Sequence, residues 1–379
     1  MRSMSFEQHG ENGRVPAFNF EEYICQGELP QRERAYVWST AMGLQAVDGL
    51  RPSSYLVSLA RDHIDGLIAM EDVDQRLASY SEADGQRLGV SDEHEADIAS
   101  VNIAHLLKEK VVAFSLPGLL GIHKRIFQGI FTHAGQFREV NITKKEWVLG
   151  GDTVLYVSAP DIPAAVTYDL QQERKFDYSG LSREQMVEHI AQFVSGIWQI
   201  HPFREGNTRT TAVFTILYLR SLGFEVDNRL FAADSWYFRN ALVRSNYQNI
   251  QKGIKREFKY LYRFFKNLLL KEDYPLKNRY MHVGYAEGSK AEGIKPKEGI
   301  KEGINEGINE GIKLEPIERL VVDKLIENMH ITTNELVEQL KVSRSSVERT
   351  LKILKEKKAI TRVGSRKKGE WRVSFELRR

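Results

Sequence analysis

His201-Pro-Phe-Arg-Glu-Gly-Asn-Thr-Arg-Thr210 lies between two apolar segments of helical period. Upstream, Arg183 to Ile200 carries apolar residues at Met186, Val187, Ile190, Phe193, Val194, Ile197 and Trp198, the spacing of an amphipathic helix. Pro202 forces His201 out of helical geometry and ends that helix. Downstream, Thr210 to Leu222 is apolar nearly all round until Gly223, which predicts a buried central helix. The ten residues are therefore a short loop feeding a helix N-terminus. Amides near Gly206, Asn207 and Thr208 are placed to hold an anion such as phosphate, and Gly206 lets the backbone approach it. The side chains supply a base (His201), a carboxylate for Mg²⁺ (Glu205) and a fork of donors for phosphate oxygens (Arg209). The plainer alternative is a buried histidine capping the preceding helix beside an Arg–Glu surface pair. Four compatible features within nine residues favour the chemical reading.

The stretch resembles the signature of the Fic family, His-Pro-Phe-x-(Asp/Glu)-Gly-Asn-(Gly/Lys)-Arg. The resemblance runs from about Glu95 to Phe265, through Glu95-Ala-Asp, Ile122-His-Lys-Arg-Ile-Phe127 and Ala134-Gly-Gln-Phe-Arg138. It implies an all-α core that moves AMP from ATP, with Mg²⁺, to a Ser, Thr or Tyr hydroxyl of a target protein. It also implies that His201 deprotonates the incoming hydroxyl and Glu205 holds the metal. Phe203, Arg204, Gly206, Asn207, Thr208 and Arg209 then line the nucleotide site, with Tyr237 and Asn240 bordering the adenine and ribose pocket. Two positions depart from the family. Thr208 replaces the usual Gly or Lys, and a Lys would have pointed to the phosphorylating branch. Ala212 stands where a second Arg usually holds the γ-phosphate.

A chain of 379 residues suggests two or three domains. With 42% apolar and 28% charged residues, composition indicates neither disorder nor a membrane class. The longest apolar stretches, such as Thr211 to Leu219, fall short of the roughly 18 residues a spanning helix needs, so no membrane partner is expected. The N-terminus has no apolar signal core, and a cytoplasmic location is the expectation. Cys25 is the only cysteine, which excludes an internal disulfide and a multi-cysteine metal site. Net charge is +3, yet Lys341 to Arg379 holds 14 Lys and Arg against four Glu, leaving the remainder near −7. Any nucleic-acid contact belongs to that C-terminal segment.

The expected fold class is mainly α, a helical Fic core with a β-hairpin flap and a C-terminal winged helix, in four segments. Residues 1–94 form an N-terminal helical lobe, with helical patterns at Arg32 to Gly49, Ser53 to Gly66 and Glu71 to Tyr80. This lobe resembles the antitoxin-like helices of the family, whose (Ser/Thr)-x-x-x-Glu-(Gly/Asn) motif sets its Glu against the second Arg of the signature. The best match, Leu44-Gln-Ala-Val-Asp48-Gly49, lacks the Ser/Thr and carries a shorter carboxylate. Ser91 to Glu95 has the spacing but is followed by Ala96, and it reads as the opening of the core. With both Asp48 and Ala212 degenerate, inhibition by the lobe is expected to be weak or absent.

Residues 95–274 form the core, with the β-hairpin from Val140 to Thr143 and Thr153 to Val157 around Gly150-Gly151. By resemblance it is a flap that adds a strand to the target, with Lys144, Lys145 and Tyr156 as contacts. Residues 275–314 form a linker in which Glu-Gly-Ile recurs with a spacing of four from Glu298 to Ile312. Its Ile row drifts around a helix of 3.6 residues per turn; self-association into a homodimer is the alternative. Residues 315–379 resemble a winged helix-turn-helix. Arg344, Ser345, Ser346 and Arg349 would face the major groove of double-stranded DNA, and Arg366, Lys367 and Lys368 its phosphates.

The leading expectation is a protein adenylyltransferase coupled to DNA or partner binding. The alternatives are a DNA-binding regulator whose Fic core senses a nucleotide, and a transferase with another nucleotide donor.

Overall fold

A computed structural model describes residues 19–83, 91–109, 113–226, 229–285, 306–308, 316–328, 330–340, 342–356, 359–363 and 370–373. They divide into two units, one ending before Glu306 and one starting there.

The first unit is helical: α1 (Glu21–Gln26), α2 (Leu29–Gly43), α3 (Ser54–Ile64), α4 (Met70–Ala83), α5 (Asp92–Lys108), α6 (Leu116–Phe127), α7 (Ile162–Lys175), α8 (Arg183–Ile200), α9 (Asn207–Ser221), α10 (Arg229–Ala233), α11 (Ser235–Asn246) and α12 (Lys259–Leu270). Helix starts follow capping chemistry. Ser182 and Gln185 close a capping box on α8, each side chain taking the other's backbone amide. Ser53 caps α3 while donating its hydroxyl to Asp97, and Ser91 and Ser115 cap α5 and α6.

The α9 helix is buried from Asn207 through Leu219, as its all-round apolar sequence requires. The N-terminal helices are not a separate lobe. Trp38, Met42, Leu56 and Val73 belong to the same continuous core as Ile197, Phe214 and Phe264. Gly43 packs so closely on α10 that a Cβ there would lie 2.5 Å from the Ala232 Cα.

The expected β-hairpin is only half formed. Ile142–Lys144 is a strand, followed by a 3₁₀ turn at Trp147–Leu149, but residues 152–157 form no strand. The reason lies in where its polar groups go. The Lys144 amide donates to the Thr153 hydroxyl, Leu155 O accepts from Gln199 Nε2, and Val157 O accepts from Arg138 Nη2. Side chains have taken the bonds that a ladder would use.

The second unit contains α13 (Pro316–Glu327), α14 (Thr333–Leu340) and α15 (Arg344–Glu356), then strands Ile360–Val363 and Glu370–Val373 paired antiparallel with Ile360 opposite Val373. Its own core holds Val321, Leu336, Val347, Leu354 and Trp371, and the Trp371 indole N–H donates to Ile331 O.

Candidate active site

The loop between α8 and α9 is shaped by backbone strain and side-chain brackets. His201 ends α8 in the left-handed region, φ 50° and ψ 59°, a conformation uncommon for a residue with a Cβ. Arg138 holds it there: its Nε donates to His201 O at 2.8 Å, and its backbone N–H donates to Pro202 O. Asn207 returns across the loop, accepting from Phe203 N at 2.9 Å and donating to Phe203 O at 2.8 Å. Gly206 has φ 70°, and a Cβ would sit 2.1 Å from the Phe127 ring, so only glycine fits.

His123 is a second bracket. Its Nδ1 accepts from Gly135 N at 2.8 Å, so its Nε2–H donates to Glu205 O at 3.2 Å, and its ring stacks on Phe203. Burial pushes the His123 pKa down to about 3, which keeps this neutral tautomer in place. Thr208, the departure from the family pattern, accepts the Trp198 indole N–H at 3.0 Å and ties α9 back to α8.

His201 itself is buried. Its Nδ1 lies 3.3 Å from Trp198 O, Tyr156 stacks on its ring at 4.1 Å, and Nε2 has no hydrogen-bond partner among the described residues. Burial first, and then the positive charges of Lys144, Arg239 and Arg138, hold its pKa well below the ordinary 6.5. A neutral imidazole with Nδ1–H on a carbonyl presents a lone pair at Nε2, the arrangement of a general base. Glu205 is partly exposed and Arg204 exposed at the loop's outer side. A single carboxylate suits Mg²⁺, which commonly takes one or two carboxylates plus substrate phosphates.

Arg209 departs most from expectation. It is 2% exposed: Nη2 lies 2.6 Å from Glu95 Oε1, Nη1 donates to Gln45 Oε1 at 2.9 Å, and Nε is 2.6 Å from Asp48 Oδ2. The guanidinium also stacks 4.7 Å from the centre of the Phe127 ring. Burial opposes its charge, but Asp48 and Glu95 outweigh burial and raise its pKa. Asp48 nevertheless keeps an arginine partner that sequence reading did not foresee. Asp48 pairs with Arg209, because the 3₁₀ turn Leu44–Asp48 delivers it to the first turn of α9. Position 212 is a buried alanine one turn further on. Glu95, read from sequence only as the opening of the core, joins Asp48 on the same guanidinium, and its spacing from Ser91 was the available signal.

Other predicted residues are redistributed. Tyr237 and Asn240 do not border an open pocket. Tyr237 is core, stacked toward Phe264 with its hydroxyl donating to Tyr260 O, and Asn240 is buried and donates to Asn278 Oδ1. Of the flap residues, Lys145 is exposed and Tyr156 lies on His201, but Lys144 is 5% exposed. Strand alternation turns Lys144 inward with Ile142. In the second unit, Arg344 is bonded to Glu348 and Asn334, Arg349 is exposed, and Ser345 and Ser346 lie in the first turn of α15. Arg366, Lys367 and Lys368 lie outside the described residues.

Sequence reading missed Arg239 and Glu146. The Arg239 Nη2 donates to both Glu146 oxygens, at 2.9 and 3.1 Å, and its Nη1 donates to Val47 O at 3.1 Å, all fully buried.

Residues 113–219 match the family model described as Fic/DOC family, so the chain carries a Fic domain. It is 31% identical over 125 residues to "Probable protein adenylyltransferase Fic" of Salmonella typhimurium, spanning 32% of this chain and 58% of that protein. It is 30% identical over 114 residues to "Protein adenylyltransferase VbhT" of Bartonella schoenbuchensis, spanning 30% of this chain and 23% of that one. The chain thus spans less than two thirds of the length of either relative. Among solved structures, the N-terminal Fic domain of an effector from Bartonella sp. AR 15-3 is 19% identical with a TM-score of 0.38, covering 47% of this chain and 81% of that chain.

Proposed function

We propose that this Fic-domain chain is a protein adenylyltransferase that transfers AMP from ATP to a Ser, Thr or Tyr hydroxyl of a target protein. The observation that carries the reading is the buried, unpartnered Nε2 of neutral His201, at the mouth of a loop that opens into the N-terminus of α9.

In this reading Nε2 accepts the proton of the target hydroxyl as its oxygen attacks the α-phosphorus. The new O–P bond forms while the bond to the β-phosphate oxygen breaks, and pyrophosphate leaves. His201 then returns the proton to solvent. Tyr156, stacked on the imidazole, and Arg138, bonded to the His201 carbonyl, fix where Nε2 points. The amides at Gly206 and Asn207 face the phosphates with the positive end of α9. Glu205 would hold Mg²⁺, which when bound neutralises phosphate charge. Lys145, exposed beside the strand Ile142–Lys144, is the flap contact for the target. In the C-terminal unit, exposed Arg349 is the residue that would face the major groove of DNA.

Incubation with α-labelled ATP, Mg²⁺ and cell lysate should label a protein band. His201→Ala should reduce that label by about 10²- to 10⁴-fold, the usual contribution of a positioned base. Label that survives the change would remove His201 from the chemistry.

A further inference from the structure

Two aromatic rings of α6, one turn apart, meet the loop between α8 and α9. His123 is fully buried, stacks on Phe203 with 3.8 Å between ring centres, and lies 4.7 Å from the Phe127 ring. Phe127 in turn abuts Gly206 and the Arg209 guanidinium. Side chains at i and i+4 share one helix face, so the two rings form a single floor for the loop.

Unlike Phe127, His123 also bonds to the loop's backbone. Its Nδ1 accepts the Gly135 N–H at 2.8 Å. An amide N–H only donates, so the proton of the neutral ring sits on Nε2. That Nε2–H donates to the Glu205 carbonyl at 3.2 Å. A trans peptide is planar, with its C=O and N–H on opposite edges. Drawing the Glu205 carbonyl toward α6 therefore turns the Gly206 N–H away from α6, to the side on which the loop presents its amides.

The backbone would not keep that orientation by itself. Gly206 has φ 70°, and glycine adopts positive and negative φ about as readily, so the Glu205–Gly206 peptide can turn over at little cost. Turned over, it would offer an anion a carbonyl oxygen in place of an N–H.

We propose that His123 is a positioning residue of the transferase: by holding the Glu205 carbonyl it keeps the Gly206 N–H aimed at the nucleotide and stops the peptide from turning over. The identity of the anion rests on the transferase reading above. Residues 134–138 then serve both ends of the loop, through Gly135 and His123 at Glu205 and through Arg138 at His201.

The test compares three replacements in the full chain. His123→Gln sets an amide N–H near the Nε2 position, His123→Asn is too short to reach Glu205, and His123→Phe keeps the stacked ring without a donor. Each is titrated calorimetrically, with Mg²⁺, by ATP and separately by inorganic triphosphate, and thermal unfolding identifies which variants are folded. Losing one hydrogen bond to a charged group should weaken both anions about tenfold or more in His123→Phe and His123→Asn, while His123→Gln stays within about threefold of the unaltered chain. A role confined to packing gives the reverse order, because phenylalanine preserves the buried ring and glutamine does not. That reverse order overturns the proposal, as do unaltered affinities in whichever variant without a donor folds. Loss of affinity or of fold in His123→Gln, unfolding of both variants without a donor, and failure of the unaltered chain to bind either anion overturn it too. The transferase reading fails separately. If the order of affinities holds but no variant gives His201-dependent label, the positioning role stands and the transferase does not. If His201-dependent label appears while His123→Phe binds ATP as tightly as the unaltered chain, the transferase stands and the positioning role does not.

Discussion

The two ends of α9 carry two buried polar clusters built to different standards. Near its C-terminal end, Glu173 accepts from the hydroxyls of Tyr178 and Tyr218 on one oxygen and from His189 Nε2 at 2.7 Å on the other. The two tyrosine hydroxyls are 3.1 Å apart, and Phe176 lies flat on the His189 ring. None of these four polar residues holds a buried side-chain atom without a partner among the described residues. Burial and the Glu173 carboxylate raise both tyrosine pKa values, so the hydroxyls stay protonated and donating. At the N-terminal end, around Arg209, buried atoms of His201, Arg209, Asp48 and Arg239 lack aligned partners. A complete network fastens α7, α8 and α9 together. An incomplete one of the same chemical types has capacity left for a ligand.

The comparison breaks first at Gly206. If the loop end of α9 is shaped for close backbone approach, Gly206→Ala must drive a Cβ into the Phe127 ring at a φ of 70°. A loss of about 3 kcal/mol in urea unfolding is expected; less than about 1 kcal/mol would mean the loop yields easily. Next, the two carboxylates can be set against each other. Glu173→Gln removes charge from a fully bonded acceptor and should cost about 2 kcal/mol. Asp48→Asn alters an ion pair without hydrogen-bond alignment and should cost under about 1 kcal/mol. Equal losses in denaturant midpoint at constant m would erase the distinction between the clusters.

The smallest effect concerns pH. Because burial and nearby cations depress His201, lowering the pH protonates it only well below 6.5. The kcat/KM for transfer, which reports ionisation of the free enzyme, should therefore stay flat as pH falls from 8 to 6.5. An acidic limb centred at or above 6.5 would mean that the imidazole is not enclosed as described.

Much of the frame was legible in the sequence because local signals agreed with tertiary demand. Arg183 to Ile200 reads directly as α8, and Ser53 marks the start of α3. His201 was legible because Pro202 and Gly206 constrain the chain on either side of it. Partnerships across the chain were not legible. Arg209 meets Glu95 across 114 residues and Gln45 across 164, and Arg239 meets Glu146 across 93, separations that no periodicity encodes. Tyr237 and Asn240 misled because a polar residue one turn from an aromatic looks the same in a core as in a pocket. The flap misled because β-favouring residues at Thr153 to Val157 were claimed by the side chains of Gln199 and Arg138. The N-terminal helices read as a lobe of their own because helical periodicity does not say whose core a face meets.

The mounting of the turn Leu44–Asp48 sets a time scale. Gly43 is locked against the backbone of Ala232, and Gly49 leaves the turn in the left-handed region with φ 70°, so only five residues lie between two anchors. Excursions of so short a segment run on nanoseconds to microseconds, while typical enzymes turn over about ten times per second. Motion of the turn on that scale averages out many thousands of times over in such an interval.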